Sequence, residues 1–137
     1  MPAKRPLEKG RLRLPAGAGK AGEAAAEAHL RSLGYETVER NYRAGGGEID
    51  IVSRRSDMLV FLEVKTRRTS VGVFGRPEES LTTSKKLRLI AAAQTYLSEH
   101  GLERSDRRID LIAVELDGVG HVLRVAVFEN AVGENGY

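Results

Sequence analysis

The sequence predicts a single α/β domain, and three observations carry that expectation. Met58–Val64 is an almost unbroken apolar run of strand length, as in a strand covered on both faces. A second strand, Glu48–Arg54, precedes it across a short turn, and segments of helical period lie on either side in the chain. The 137 residues suit one modest core, and the predicted order is α-β-β-β-α-β-β.

Residues 1–19 combine Gly, Pro and basic side chains with no apolar period, and are read as a flexible basic arm. Gly17–Lys20 resembles the end of a phosphate-binding loop but is excluded as one. Leu14 stands where that loop needs its first glycine, and Ala21 stands where it needs Ser or Thr. The domain proper is expected over 20–131, with a short tail at 132–137. Lys20–Leu33 is read as a helix with Ala24, Ala25, Ala28, Leu30 and Leu33 on its apolar face, stopped by Gly34. Tyr35–Arg43 is a strand and Ala44–Gly47 a glycine-rich turn. Arg67–Glu79, with two glycines and a proline, is read as a long loop.

Ser84–His100 is the second helix, with Leu87, Ile90, Ala91 and Leu97 on one face. Ser80, Thr83 or Ser84 is its expected N-cap and Gly101 its stop. Arg108–Glu115 and His121–Phe128 are strands joined by a turn at Asp117–Gly118.

Composition narrows the function. The chain has no cysteine, which excludes disulfides and thiolate metal sites and fits a reducing, cytoplasmic setting. His29, His100 and His121 are scattered, which argues against a histidine-based zinc site. No apolar run reaches bilayer length, and no apolar segment of a secretory signal follows the basic N-terminus. The formal net charge is +3 and the pI about 9.4, a mild basic excess that suits a polyanionic partner.

Charge inside the apolar strands is the most informative feature. Asp50 lies between Ile49 and Ile51, and Glu63 and Lys65 flank Val64. Burying an ionised carboxylate is costly unless it is paired or bound to a cation. If Ser56–Asp57 forms a two-residue turn, Arg55 lies opposite Met58, Asp50 opposite Glu63, and Glu48 opposite Lys65. All four would then share a face. Two facing carboxylates form a hard-oxygen site for magnesium or manganese, and a neighbouring ammonium can act on a phosphate oxygen. A plain ladder of salt bridges, Glu48 to Lys65 with Asp50 and Glu63 at a solvated strand end, accounts for the same residues. On pattern alone it is the better account. Asp110, another acid in an apolar strand, is expected to pair with an arginine.

Gly22–Glu23, Gly47–Glu48–Ile49–Asp50, Glu63–Val64–Lys65–Thr66–Arg67 and Glu129–Asn130–Ala131 together resemble the uncharacterised YraN family, described as candidate endonucleases. More widely, the element order and the Asp…Glu-x-Lys core resemble the PD-(D/E)XK restriction-endonuclease-like and Holliday junction resolvase-like proteins. That resemblance implies a central mixed β-sheet flanked by helices, and a magnesium- or manganese-dependent nuclease. It implies that Asp50, Glu63 and the Val64 carbonyl bind the metal, and that Lys65 is catalytic. Glu23 matches a helical acid near the site in some members. Ile49 stands where the wider motif has proline. The implied partner is DNA, branched or single-stranded ahead of plain duplex, with Arg67, Arg68 and Arg76 on phosphates. A homodimer is implied by analogy with resolvases. The alternative is a nucleic-acid-binding or scaffold protein that keeps the fold without turnover. Aromatic residues are 5% of the chain, so phosphate contacts rather than base stacking would dominate binding.

Overall fold

The computed structural model describes residues 18–68 and 81–133. Most of the expected N-terminal arm, the loop carrying Arg76 and the end of the C-terminal tail lie outside the described residues. The elements run α1 (Ala18–Ser32), β1 (Glu36–Ala44), β2 (Gly47–Arg55), β3 (Met58–Arg68), α2 (Thr83–Glu99), β4 (Arg107–Leu116) and β5 (Val122–Val132). This is the expected order. The strands form one mixed sheet in the order β1-β2-β3-β4-β5, antiparallel throughout except for the parallel pair β3–β4. A parallel pair needs a crossover, and the chain between β3 and β4 supplies it with α2.

Alternation along β3 divides the core in two. Val60, Leu62 and Val64 join Ala26 and Leu30 of α1, with Ile112 and Val114 of β4. Leu59 and Phe61 join Leu89, Ala92, Ala93, Tyr96 and Leu97 of α2 on the opposite face. Each of these side chains is buried, and truncating a fully buried one such as Leu62 typically costs about 2–5 kcal/mol. Tyr96 sits edge-on to Tyr42 and Phe61, and Tyr42 donates to Glu99 Oε1 at 2.7 Å. That tie fastens the end of α2 to β1.

Both helix faces differ from the expected ones. On α1 the buried residues are Gly22, Ala26 and Leu30, while Ala24 and Ala28 are exposed and Leu33 is 45% exposed. On α2, Leu87 is 54% exposed and Leu89 replaces it in the core. In an alanine-rich helix several neighbouring stripes are almost equally apolar, so the packing partner decides which is buried. The N-cap of α2 is Thr82, whose Oγ1 accepts from Lys85 N at 3.1 Å. His100 follows the helix, and Gly101 then takes φ +66.

Two strands run two or more residues past their expected C-terminal ends. β3 continues through Arg67 and Arg68, which pair with Glu115 and Leu116 of β4, so these arginines belong to the sheet and not to the following loop. β5 continues to Val132 across an irregularity in its pairing with β4. Asp110 explains that irregularity. Its carboxylate takes both nitrogens of a two-pronged Arg108 at 2.9 Å and also accepts from Asn130 N at 2.8 Å. Asn130 has φ +54, a conformation that an asparagine tolerates better than most residues. The expected arginine partner of Asp110 is therefore Arg108, which also donates to Tyr35 at 3.0 Å.

Candidate active site at one end of the sheet

The β2–β3 hairpin has the expected register, from Arg55↔Met58 to Ile51↔Leu62. Ser56 takes φ +54 in its turn. The regular ladder stops there, one pair short of Asp50 and Glu63. Ile49 and Ile51 are two positions apart yet enter opposite cores, so strict alternation fails between them. The expected pairs Asp50↔Glu63 and Glu48↔Lys65, with all four residues on one face, are thus not part of the ladder. Instead the Asp50 carboxylate accepts from the Val64 N–H at 2.8 Å. A side chain takes the place of a backbone partner, and this draws Asp50 against the Glu63–Val64–Lys65 segment. Glu48 lies across from Arg43, whose Nε donates to its Oε2 at 3.1 Å.

Asp50 is 4% exposed and Glu63 6% exposed. Burial and the charge of Glu63 push the Asp50 carboxyl up to about 8, against the pull of the Val64 N–H, and Glu23 adds to the rise. The expected carboxylates therefore act on one another. Lys65, next in alternation to Glu63, is half-buried on the same strand.

Among the described residues no three His, Cys, Asp or Glu side chains converge closely enough to hold a metal ion together. Glu23 acts on the Asp50 carboxyl through its charge. The donors available for a cation are two carboxylates and backbone oxygen. Both carboxylates are hard ligands, and a divalent cation would relieve the repulsion that raises Asp50, so the residues present fit magnesium or manganese.

Glycines bring both helices down to this end of the sheet. A Cβ on Gly22 would lie 1.9 Å from Thr66 Oγ1, so only glycine lets α1 rest on β3 there, one residue before Glu23 and beside Lys65. A Cβ on Gly47 would lie 2.3 Å from the carbonyl oxygen of Arg88, which seats the start of β2 on α2. Gly22 and Gly47 stand out in the sequence as motif residues, but these contacts leave no mark there. Gly22→Ala is expected to destabilise the fold by about 1–3 kcal/mol. Adding Thr66→Ala, which removes the nearest atom, is expected to restore part of the loss. Denaturant midpoints of the two variants measure both, and full stability in Gly22→Ala would contradict the contact.

Arg67 and Arg68 are tied to the β4–β5 hairpin. Arg67 lies 3.8 Å from the Glu115 carboxylate, and Arg68 Nη2 donates to Gly118 O at 2.8 Å. Arg76 lies outside the described residues. Lys85 and Lys86, in the first turn of α2, and Lys20, in α1, add positive charge.

Fold and site together define an α/β domain with a buried carboxylate pair and a lysine at one end of a mixed sheet. The chain belongs to the uncharacterised protein family UPF0102, whose profile matches residues 22–114. This agrees with the resemblance carried by the sequence motifs. A UPF0102 protein of Moorella thermoacetica is 45% identical over 113 residues, covering 82% of this chain and 92% of that protein. One from Dehalococcoides mccartyi is 40% identical over 116 residues, covering 85% and 93%. A solved structure of Pyrococcus furiosus SfsA in complex with Ca2+ overlaps 82% of this chain and 62% of its own, at 14% identity and a TM-score of 0.35. That similarity is too low to bear on activity.

Proposed function

We propose that this protein is a metal-dependent nuclease that hydrolyses phosphodiester bonds in DNA, with branched or single-stranded DNA as substrate. The observation that supports this most is the buried Asp50–Glu63 pair, which raises Asp50 and lies beside Lys65. A domain needing only stability gains nothing from two carboxylates that repel each other in a dry site.

Asp50, Glu63 and the Val64 carbonyl would hold magnesium or manganese, which supplies Lewis acidity at the scissile phosphate. The Val64 N–H fixes one oxygen of Asp50 and leaves the other to act as a ligand. Lys65 orients the attacking water or neutralises charge growing on the phosphoryl oxygens. Glu23 adds negative charge from α1, which favours the cation and shapes the approach of water. Arg67 and Arg68 would support phosphates from the sheet, Arg76 from the segment after it, and Lys85 and Lys86 from α2. This basic rim suits a polyanion, and the setting is the cytoplasm. Among the described residues no helix is long and apolar enough to cross a membrane.

Thermal melts with and without metal test the cation site. The folded-state pKa of Asp50 is raised far above the ordinary carboxylate value of about 4. The fold therefore favours the protonated form, and that contribution is lost as pH rises from about 4 through about 8. The metal-free protein is expected to lose stability across this window. Millimolar magnesium or manganese is expected to raise the melting temperature most near the top of it. Asp50→Asn should flatten the pH trend and abolish the metal shift. An equal metal shift in Asp50→Asn would remove the site.

A further inference from the structure

We infer that Arg124, on β5, is a further contact for the DNA backbone, held in position by Glu115 on the same sheet face as Lys65. This rests on the action on DNA proposed above and extends the binding surface two strands beyond the site. Register places the residue. Glu63↔Leu111↔Phe128, Lys65↔Ala113↔Ala126 and Arg67↔Glu115↔Arg124 form three successive rungs across β3, β4 and β5, within a stretch where both pairings are regular. Rungs two residues apart share a face. Leu111 belongs to the α2-side core and Phe128 packs against it, so Glu63, Lys65, Arg67 and Arg124 all lie on the face where α2 packs. The rung of Lys65 continues as two alanines, so no long side chain stands beside Lys65 towards β5. One step of two residues and two strand spacings put Arg124 about 12 Å from Lys65 along the backbone surface. That is about three to four base-pair steps of a duplex.

The engagement of Arg124 differs from that of the arginines whose ion pairs fasten the fold. Arg40 gives both Nε and Nη2 to Glu27, and Arg108 gives the same two nitrogens to Asp110. Arg124 gives only Nη2, at 3.2 Å, to a Glu115 oxygen that Arg67 Nη2 also approaches to 3.8 Å. Among the described residues Glu115 is the one partner of Arg124, which leaves Nε and Nη1 without a protein acceptor. The Arg124 side chain is 60% exposed, whereas Glu115 is 12% exposed and sits between the two guanidinium groups. An exposed pair of this kind contributes only about 0–1 kcal/mol to stability. A guanidinium with donors to spare, held still by one carboxylate, suits a phosphate oxygen.

Binding of labelled single-stranded and four-way DNA over a salt series tests this, with the full chain and a chelator so that no strand is cut. Arg124→Ala should weaken binding roughly tenfold at low salt. It should also flatten the slope of log affinity against log salt by about 0.7–0.9, the share of one phosphate. Arg124→Lys should keep the slope, because the cation remains. Arg40→Ala is the matched control: Arg40 is 61% exposed, pairs with one carboxylate and lies on β1 at the opposite edge of the sheet. It should change neither affinity nor slope. Urea midpoints check that both alanine variants stay folded. Unchanged affinity and slope in Arg124→Ala, or equal losses in Arg40→Ala, overturn the inference. A wild type that binds neither DNA at low salt overturns it as well. If that same protein cuts DNA with magnesium, the proposed function stands without Arg124.

Discussion

Replacing Lys65 with alanine is expected to lower DNA cleavage by at least about a hundredfold while leaving folding and the metal-induced thermal shift intact. Lys65 lies towards the end of β3, opposite Ala113 on β4, and is half-buried, so its side chain contributes little packing. Its proposed contacts form as charge builds on the phosphate, and losing one donor of that kind commonly costs about a hundred- to a thousandfold in turnover. The loss should therefore fall on kcat and spare substrate affinity. Glu48→Ala is the control. It removes a carboxylate near the site that Arg43 engages, and it should leave turnover within a few-fold of wild type. If Lys65→Ala cleaves at the wild-type rate, Lys65 has no catalytic role.

Asp110→Ala is expected to be among the most destabilising single substitutions on the sheet, at about 3–5 kcal/mol. The Asp110 side chain is fully buried, and its partner Arg108 is 21% exposed. Removing the carboxylate leaves the Arg108 guanidinium without its two closest acceptor oxygens and orphans the Asn130 N–H. Tyr35 and Glu129 cannot replace a two-pronged carboxylate, since Tyr35 offers a single oxygen and Glu129 lies 3.7 Å away. Asp110→Asn keeps one acceptor for Asn130 and should cost less. Urea midpoints measure both changes. A loss below about 1 kcal/mol in Asp110→Ala would mean that the pair contributes little to the fold.

Much of this arrangement was legible before any coordinates, for identifiable reasons. The β2–β3 register followed from a two-residue turn, because a hairpin fixes its pairs by counting. The proximity of Asp50 to Glu63 followed from that count. The hydrogen bond from Val64 to Asp50 did not, since a side chain replacing a ladder partner leaves no mark in a pattern of alternation. The strands stood out because their apolar runs are long. The helix faces did not, since Ala24, Ala25, Ala26 and Ala28 are equally small and only the sheet beneath selects Ala26. Asp110 announced itself as an acid among apolar residues, and an arginine partner was the physical expectation. Arg108, two residues away on the same strand, shares its face by alternation. In the sequence Arg67 and Arg68 look like loop residues because glycines and a proline follow them. The parallel partner β4, distant in sequence, extends β3 through both.

The most direct test of nuclease function is a cleavage panel of single-stranded, duplex, flap and four-way DNA, incubated with magnesium or manganese and the full chain. Wild type is expected to cut four-way or single-stranded DNA ahead of plain duplex, to stop when the metal is chelated, and to lose the activity in Asp50→Asn. No cleavage of any substrate by wild type with either metal would contradict it and make a nucleic-acid-binding protein on this fold the better description, and equal cleavage by Asp50→Asn would contradict the assignment of the activity to this site.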